Sequence, residues 1–537
     1  MTRREAAGAA LAILGMTLFV TWPQALHMGS KVAAHHDPEF SIWRLAWIAH
    51  ALATDPRHLL SANIFYPSPD TLTYSDATLL EGVVAAPLFW AGVAPIWIYN
   101  LLLLGGFVAS GAAAFLLARR LTGTFLPALI AAAVFTMAPY RIEHFMHVEL
   151  QWAMWVPAAL WAAHRAFDER SRRFGLLTGV FVWLQLLSCV YYGVFLAIAL
   201  AVFATVMAAL DWKQRSPGLL NIGMGGAAAG VLSAPYLWFY YRTAQTVGVR
   251  HPEEVARYSA RLSSYFSSPG QNWLWGWTES TPELGLFIGL VALVLVVFAV
   301  GFRPRSVTAA YIGVAVVSVS LSLGMNSALY RALLDILPVL QGLRSPSRFA
   351  VIASCAIAIL AALGARTIQV RLARRSSAWA TGALLSFLVL LFVEYGNTGM
   401  ILMNLPTDFG TVYQTVRSTG PGVVIELPLP TAEALPGHEP DYQYWSIDHW
   451  HPLVNGYSGY YPPRYLQMLD RMRRFPDDDS IEALRSLEVR YILVHAAFFD
   501  RDAYGALLAR AGARADLMPY GRYKDPFGDV ELFVLKP

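Results

Sequence analysis

The chain has 537 residues, of which 56% are hydrophobic and only 14% charged, against roughly 25% charged in ordinary soluble domains. That balance argues against a water-soluble enzyme, and a net charge of +4 gives no electrostatic footprint for nucleic acid. Its two cysteines, Cys189 and Cys355, lie inside apolar runs with no second ligand at metal spacing, so neither a disulfide framework nor a zinc site is expected. There is no P-loop, no G-x-G-x-x-G fingerprint and no HExxH, which argues against a nucleotide-dependent cytoplasmic enzyme.

Apolar runs long enough to cross a hydrocarbon core of roughly 30 Å recur along the first 400 or so positions. Basic residues orient them. Arg3 and Arg4 precede the run Ala6 to Ala25, which reads as an uncleaved first span with the N-terminus in the cytoplasm. That span delivers the polar stretch His35 to Glu81 to the outer side, within a first outer loop over residues 28–95. Gly82 to Val93 is too short to cross and contains Pro87, the pattern of an interfacial or re-entrant helix. Later spans return at Arg119 and Arg120, at Arg170 to Arg173, at Lys213 and Arg215, at Arg303 and Arg305, and at Arg366 to Arg375. Every cluster falls on the inner side, which supports about eleven spans.

After Met403 the pattern changes. Val423 to Leu427, Val489 to Val494 and Val530 to Leu535 read as strands, and Thr411 to Ser418 and Ser480 to Ser486 as helices. The expected fold class is therefore a polytopic α-helical membrane protein of about 11 transmembrane helices over residues 1–402, followed by an extracytoplasmic α/β domain over residues 403–537. Tyr457 to Pro463 in that domain, with paired prolines and a glycine, is expected to be a loop.

Four groups of residues could carry chemistry. Asp37 stands before Pro38 and an apolar stripe of Phe40, Trp43, Trp47, Ile48 and Leu52, the sequence of a helix N-cap at a water–lipid boundary. The same carboxylate, at the mouth of the first span, suits a general base, and the two readings are compatible. The outer turn holds Arg141, Glu143, His144, His147 and Glu149. Its histidines at i,i+3 share a helix face and with Glu143 offer ligands to a metal, or the turn is simply solvated. Arg344 and Arg348 before the tenth span suit a phosphate or lipid headgroups. The aromatics from Tyr258 to Trp277 suit sugar faces or the membrane interface. Buried charges along the spans are few, with Glu394 an exception, which argues against a transporter path.

The first span, His36-Asp37-Pro38, the helix with Trp43 and Ala46 to His50, Asn63 to Pro67, the turn Arg141 to Gln151, Arg344 to Phe349 and the C-terminal outer part together resemble the GT-C superfamily of integral membrane glycosyltransferases, its bacterial polytopic members in particular. The resemblance implies a sugar donor carried on a polyprenyl phosphate, used at the outer face of the inner membrane, and a glycan, lipid or protein acceptor. It implies Asp37 as general base and a second acidic residue at Glu143 or Glu149. Arg344, Arg348 and Arg141 are then the candidates to hold the departing phosphate, and His144 and His147 are further substrate-binding candidates. The superfamily holds metal-dependent and metal-independent members, which leaves a divalent metal open. It also holds accessory homologues without transferase activity, and a transporter or flippase of lipid-linked sugars is the rival reading.

Overall fold

The computed structural model describes residues 2–279 and 281–536, without the side chains of Lys213 and Gln214. The inner-side marker expected at Lys213 thus lies outside the described residues. The chain forms two compact units: Met1–Met28, Asn100–Trp238 and Val249–Leu402 in the first, and Gly29–Tyr99, Phe239–Gly248 and Met403–Pro537 in the second.

Among the described residues, seven helices are long and apolar enough to cross a membrane: Pro95–Thr122, Phe125–Glu143, Val190–Ala209, Arg215–Val247, Arg305–Ser322, Pro346–Ala373 and Ser377–Tyr395. Four of the expected spans are helices that do not meet that measure. Arg3–Val20 carries three charges in its first turn, Trp155–Asp168 has 14 residues, Arg172–Ser188 has 17 and Leu290–Ala299 has 10. At 1.5 Å per residue a ten-residue helix covers only about half of the hydrocarbon core.

Ala350–Ala373 is the axis of the first unit. It is apolar all round, is buried along nearly its whole length, and packs against Leu290–Ala299, Arg305–Ser322, Phe125–Thr136 and Ser377–Tyr395. Gly364 permits one of these contacts, since a Cβ there would collide with the Leu295 carbonyl. A similar close approach joins Gly175 and Gly179 to the Asn221–Gly225 stretch, the small-residue packing by which apolar helices associate in lipid. Glu394, the one acidic residue of its span, accepts from the Leu290 and Val291 amides at 2.7 and 3.0 Å. It caps the N-terminus of the earlier helix Leu290–Ala299, so this carboxylate is accounted for without a substrate path.

In the second unit, helix Asp37–Thr54 buries most of its surface. Trp43 is fully buried and donates to Asn63 Oδ1 at 3.1 Å, so it is a core residue and not a boundary anchor. Trp47 is half-buried and donates to the Leu59 carbonyl. The expected short helix runs over Leu79–Trp90 and exposes Val83, Val84 and Trp90. Residues of the first loop and of the C-terminal part share one framework: Phe65 and Tyr66 donate to the carbonyls of Asn455 and Leu453, and Leu453 donates back to Asn63.

A four-stranded sheet completes this unit, in the order Val423–Leu427, Val489–His495, Asp529–Leu535, Leu517–Lys524. The first pair is parallel and the rest antiparallel. The inner strand Val489–His495 is buried except at Arg490, whereas the Leu517–Lys524 edge is mostly exposed and carries Arg522 and Lys524, charges that discourage further pairing. Helices Thr411–Thr419 and Asp478–Ser486 stand where the sequence places them, and the chain is irregular from Trp450 to Pro462 until helix Pro463–Arg471 begins.

A polar network is sealed inside this core. His495 lies between Glu426 (2.9 Å) and Asp525 (2.6 Å), all three buried, and Tyr413 donates to Glu426 at 2.6 Å. Burial alone would lower the imidazole, but its hydrogen bonds to both carboxylates raise it above its ordinary value. Burial raises Glu426 as well, and pushes nearby Glu439 up to about 8. All three shifts have one sign: these groups bind protons more tightly in the folded unit than in the unfolded chain. Their contribution to stability is full at low pH and is lost as pH rises through the raised values, whereas buried His449 and half-buried His451, lowered by burial, contribute in the opposite sense. Glu439→Gln, which removes one of the three, should therefore flatten the decline of the unfolding temperature between about pH 5 and pH 9. His495→Ala, which strands two buried carboxylates, should lower its stability by about 3–5 kcal/mol, measured by denaturant titration of tryptophan fluorescence.

Candidate active site

Asp37 occupies the first turn of its helix with Pro38 behind it, but its side chain does not cap. The capping position falls on His36, and no side-chain cap hydrogen bond is made. Instead Asp37 Oδ1 accepts from the Tyr457 hydroxyl at 2.8 Å, and Oδ2 lies 3.2 Å from His35 Nδ1. The Tyr457 ring is held edge-on against Phe40, and its backbone amide donates to Gln443 Oε1 at 2.7 Å. The phenol therefore approaches from a fixed loop. The Asp37 side chain is 15% exposed, which leaves it open to a small reacting group. Two residues on, Glu39 is buried 3.4 Å from His36 Nδ1, and burial raises its carboxyl above the usual range.

The first unit gathers a separate polar cluster where the Phe125–Glu143 span ends. Arg141 is fully buried, donates through Nε and Nη2 to the side chain and carbonyl of Gln151 (3.1 and 2.8 Å), and stacks on Phe107. Gln151 answers by donating to the carbonyls of Arg141 and His144. This reciprocal pair holds the turn in shape, and it engages most of the guanidinium. Glu143 accepts from the Glu283 amide at 2.7 Å. His144 Nδ1 lies 3.0 Å from the Tyr140 carbonyl, and His147 is 4.0 Å from Glu149.

Glu283 is the focus of this cluster. Its carboxylate is 3.6 Å from Arg348. Burial would raise it, but Arg348, His147, His144 and Arg344 together hold it down at about 2. Arg348 is nearly buried and faces the Tyr191 ring, while Arg344 faces Tyr258 and lies 3.9 Å from Glu254. Several buried polar atoms here have no hydrogen-bond partner among the described residues: His144 Nε2, Ser345 Oγ, Ser347 Oγ, Arg348 Nε and Glu283 Oε2. Buried polar atoms without partners are uncommon in native folds.

The structure thus brings Glu143, His144, His147, Arg344 and Arg348 together around Glu283, and ties Arg141 to Gln151. Asp37 belongs to the second unit, with Tyr457 and His35. The metal reading of the turn has no support in its geometry. Among the described residues no three His, Cys, Asp or Glu side chains converge as a ligand set, Glu143 is turned to a backbone amide, and the His144 and His147 rings are 6.1 Å apart.

No protein-family model matches this chain, and no curated protein matches it in sequence. Solved structures do. All of the chain is similar to 40% of the arabinofuranosyltransferase AftD from Mycobacteria, with a TM-score of 0.64 and 14% identity. It matches over 98% of its length 74% of the oligosaccharyltransferase AglB from Archaeoglobus fulgidus, a structure containing an inhibitory peptide and a dolichol-phosphate, with a TM-score of 0.54 and 12% identity. It also matches 97% of ArnT from Cupriavidus metallidurans, bound to undecaprenyl phosphate, with a TM-score of 0.50 and 13% identity. The chain has the GT-C fold. At these identities the likeness is one of fold, and the chain spans about two fifths of the arabinofuranosyltransferase. The GT-C fold and the seven apolar helices agree on a membrane location.

Three residues of these sites were not singled out by sequence reasoning. In sequence Tyr457 stands only as part of a loop and Gln151 only as the end of the polar turn, and no motif marks Glu283. Each acts on a residue far away in sequence or through a backbone group, and nothing in local spacing marks such a partner. For the Arg141 clamp the structure sets a test. Gln151→Ala removes the hydrogen bonds of a buried charged group, each worth about 1.5–3 kcal/mol, and should lower the thermal midpoint of the detergent-solubilised protein without abolishing membrane insertion.

Proposed function

We propose that this chain is a membrane glycosyltransferase that moves a sugar from a polyprenyl-phosphate donor to an acceptor hydroxyl at the outer face of the membrane. The observation that carries the reading is the state of Asp37: on a GT-C fold, the carboxylate after the first helix is not used as a cap and accepts from a phenol, while the Asp37 amide donates to the His35 imidazole 3.2 Å from the second carboxylate oxygen. In this role Asp37 takes the proton of the acceptor hydroxyl as that oxygen forms its bond to the anomeric carbon. The bond from the anomeric carbon to phosphate oxygen breaks, and polyprenyl phosphate leaves with the electron pair.

The leaving phosphate needs cations and donors. Arg348 and Arg344 are assigned that role, with His144, Ser345 and Ser347 as further donors. The unpartnered polar atoms of this cluster support the assignment, because a phosphate brings several acceptor oxygens at once. Glu283, beside Arg348, holds that arginine in place when no phosphate is bound. Arg141 supports the turn, and Glu143 fixes Glu283 through its amide. No step is assigned to a metal. The dolichol-phosphate and undecaprenyl phosphate of the similar structures suit a lipid-linked donor. The capping role of Glu394 removes the main sequence signal for a transporter.

Asp37→Asn keeps an acceptor oxygen for Tyr457 but removes the base. It should reduce transfer by at least about 100-fold with normal expression. Tyr457→Phe keeps the ring against Phe40 and loses one hydrogen bond to a charged group, which should cost about 10-fold. Both are read by mass spectrometry of polyprenyl-linked sugars and surface glycans in a deletion strain complemented with each variant. Full complementation by Asp37→Asn would remove Asp37 from the mechanism.

Orientation is tested separately. With the N-terminus inside and the C-terminal part outside, an impermeant thiol reagent should label Ser458→Cys in intact cells and miss Ser171→Cys. The opposite pattern would overturn the proposed outer-face site.

A further inference from the structure

The second unit contains a cleft that the transfer chemistry above does not use. It has a volume of about 180 Å³ and is lined by Pro69, Asp70, Tyr74, Arg242, Gln245 and Thr246, with Thr243 beside them. The walls come from the turn Thr71–Tyr74 with the residues before it and from the helical residues 242–246. Thr73 and Thr243 join the walls through a hydroxyl contact of 2.5 Å. Ligand clefts for drug-sized molecules run to roughly 300–1,000 Å³, so this one is sized for a single small ring.

Its chemistry is a balanced mixture of donors and acceptors. Asp70 is nearly buried, and its Oδ2 meets Arg242 Nη2 at 2.7 Å. No protein hydrogen bond reaches Asp70 Oδ1 among the described residues, and the remaining Arg242 N–H groups and the Gln245 amide have none either. Arg242 is about half exposed, at 48%, and reaches the cleft from the solvent side. The cleft therefore presents a carboxylate acceptor, a guanidinium fork and an amide that both donates and accepts, beside the apolar surfaces of Pro69 and Tyr74. Asp70 also sits at φ +54°, a left-handed turn conformation that Asp tolerates better than most side chains.

This composition selects among ligands. An anion gains little, because the guanidinium is already neutralised by the adjacent carboxylate and an incoming phosphate would face Asp70. A cation is opposed by Arg242. A neutral ring with adjacent hydroxyls fits: each hydroxyl both donates and accepts, and the ring's C–H face packs on proline and tyrosine. We propose that this cleft is a sugar-binding subsite that takes one neutral glycosyl residue of a glycan. The cleft shares no residue with Asp37, His35 and Tyr457. Binding there does not depend on the transferase reading; only the assignment of the bound ring to the acceptor glycan rests on it.

The test uses the full chain in nanodiscs, with methyl glucopyranoside, methyl mannopyranoside and methyl arabinofuranoside as probes in saturation-transfer difference NMR. At least one glycoside should show saturation transfer with a millimolar dissociation constant. The signal should fall at least tenfold in the Asp70→Asn/Arg242→Gln double variant, which removes both charges together, and should persist in Asp37→Asn. Gln245→Trp, at an exposed position, fills the cleft without touching the ion pair and should abolish the signal with an unchanged unfolding temperature. Absence of transfer from all three glycosides overturns the proposal. So does a signal that survives Gln245→Trp, or displacement of the glycoside by inorganic phosphate at similar concentration. Loss of glycan transfer in Asp37→Asn with glycoside binding intact would separate this subsite from the catalytic reading.

Discussion

A chain that passes through hydrocarbon must satisfy its own backbone, because no water is present to do so. Much of the first unit follows from that constraint. Where a helix is short or broken, a side chain takes over the orphaned backbone groups. Glu394 receives the first amides of the ten-residue Leu290–Ala299 helix. Gln151 and Arg141 close the interrupted path after Thr136 by bonding each other's backbone and that of His144. Glu394, Arg141 and Gln151 thus serve the backbone of these spans, and other polar groups are left over once that backbone is satisfied.

Glu283, Arg348, His144, Ser345 and Ser347 are such a remainder. They carry charge or polar atoms into a buried place without enough partners to neutralise them. In the second unit the contrast runs the other way. Glu426, His495 and Asp525 are at least as deeply buried, yet every one of them is tied to another polar group. Burial alone does not distinguish the two clusters, and Glu426 Oε1 also has no partner among the described residues; the difference is that the three side chains hold close polar contacts to one another. The Asp37 carboxylate lies between these cases, held on Oδ1 by the Tyr457 hydroxyl and still partly open to solvent.

The sequence made the apolar helices legible through length and hydropathy, and the strands Val423–Leu427 and Val489–His495 through short apolar runs. It pointed to Asp37 by its place after the first span. It misjudged what holds Asp37, because an Asp-Pro pair before an apolar stripe has the local signature of a cap, while the actual partner is a tyrosine 420 positions away. Span counting was limited for a similar reason. Leu290–Ala299 and Trp155–Asp168 read as spans when their flanks are counted, but the flanking residues bend into turns that serve tertiary contacts. Trp43 has the residue type of a membrane anchor and is instead a core donor to Asn63.

The joining of the first loop to the last quarter of the chain has a consequence for synthesis. Asn63 bonds Ser446 and the His451 carbonyl, Phe65 bonds Asn455, and Asp37 bonds Tyr457. None of these partners exists until nearly the whole chain has left the ribosome. The loop after the first helix must therefore wait, exposed and incompletely bonded, while the membrane helices are inserted, and closing it is a long-range step of the kind that folds slowly. The carboxylate at position 37 acquires its phenol only at that late step, so a truncated or stalled chain would carry every membrane helix and still lack the hydrogen bond from Tyr457 to Asp37.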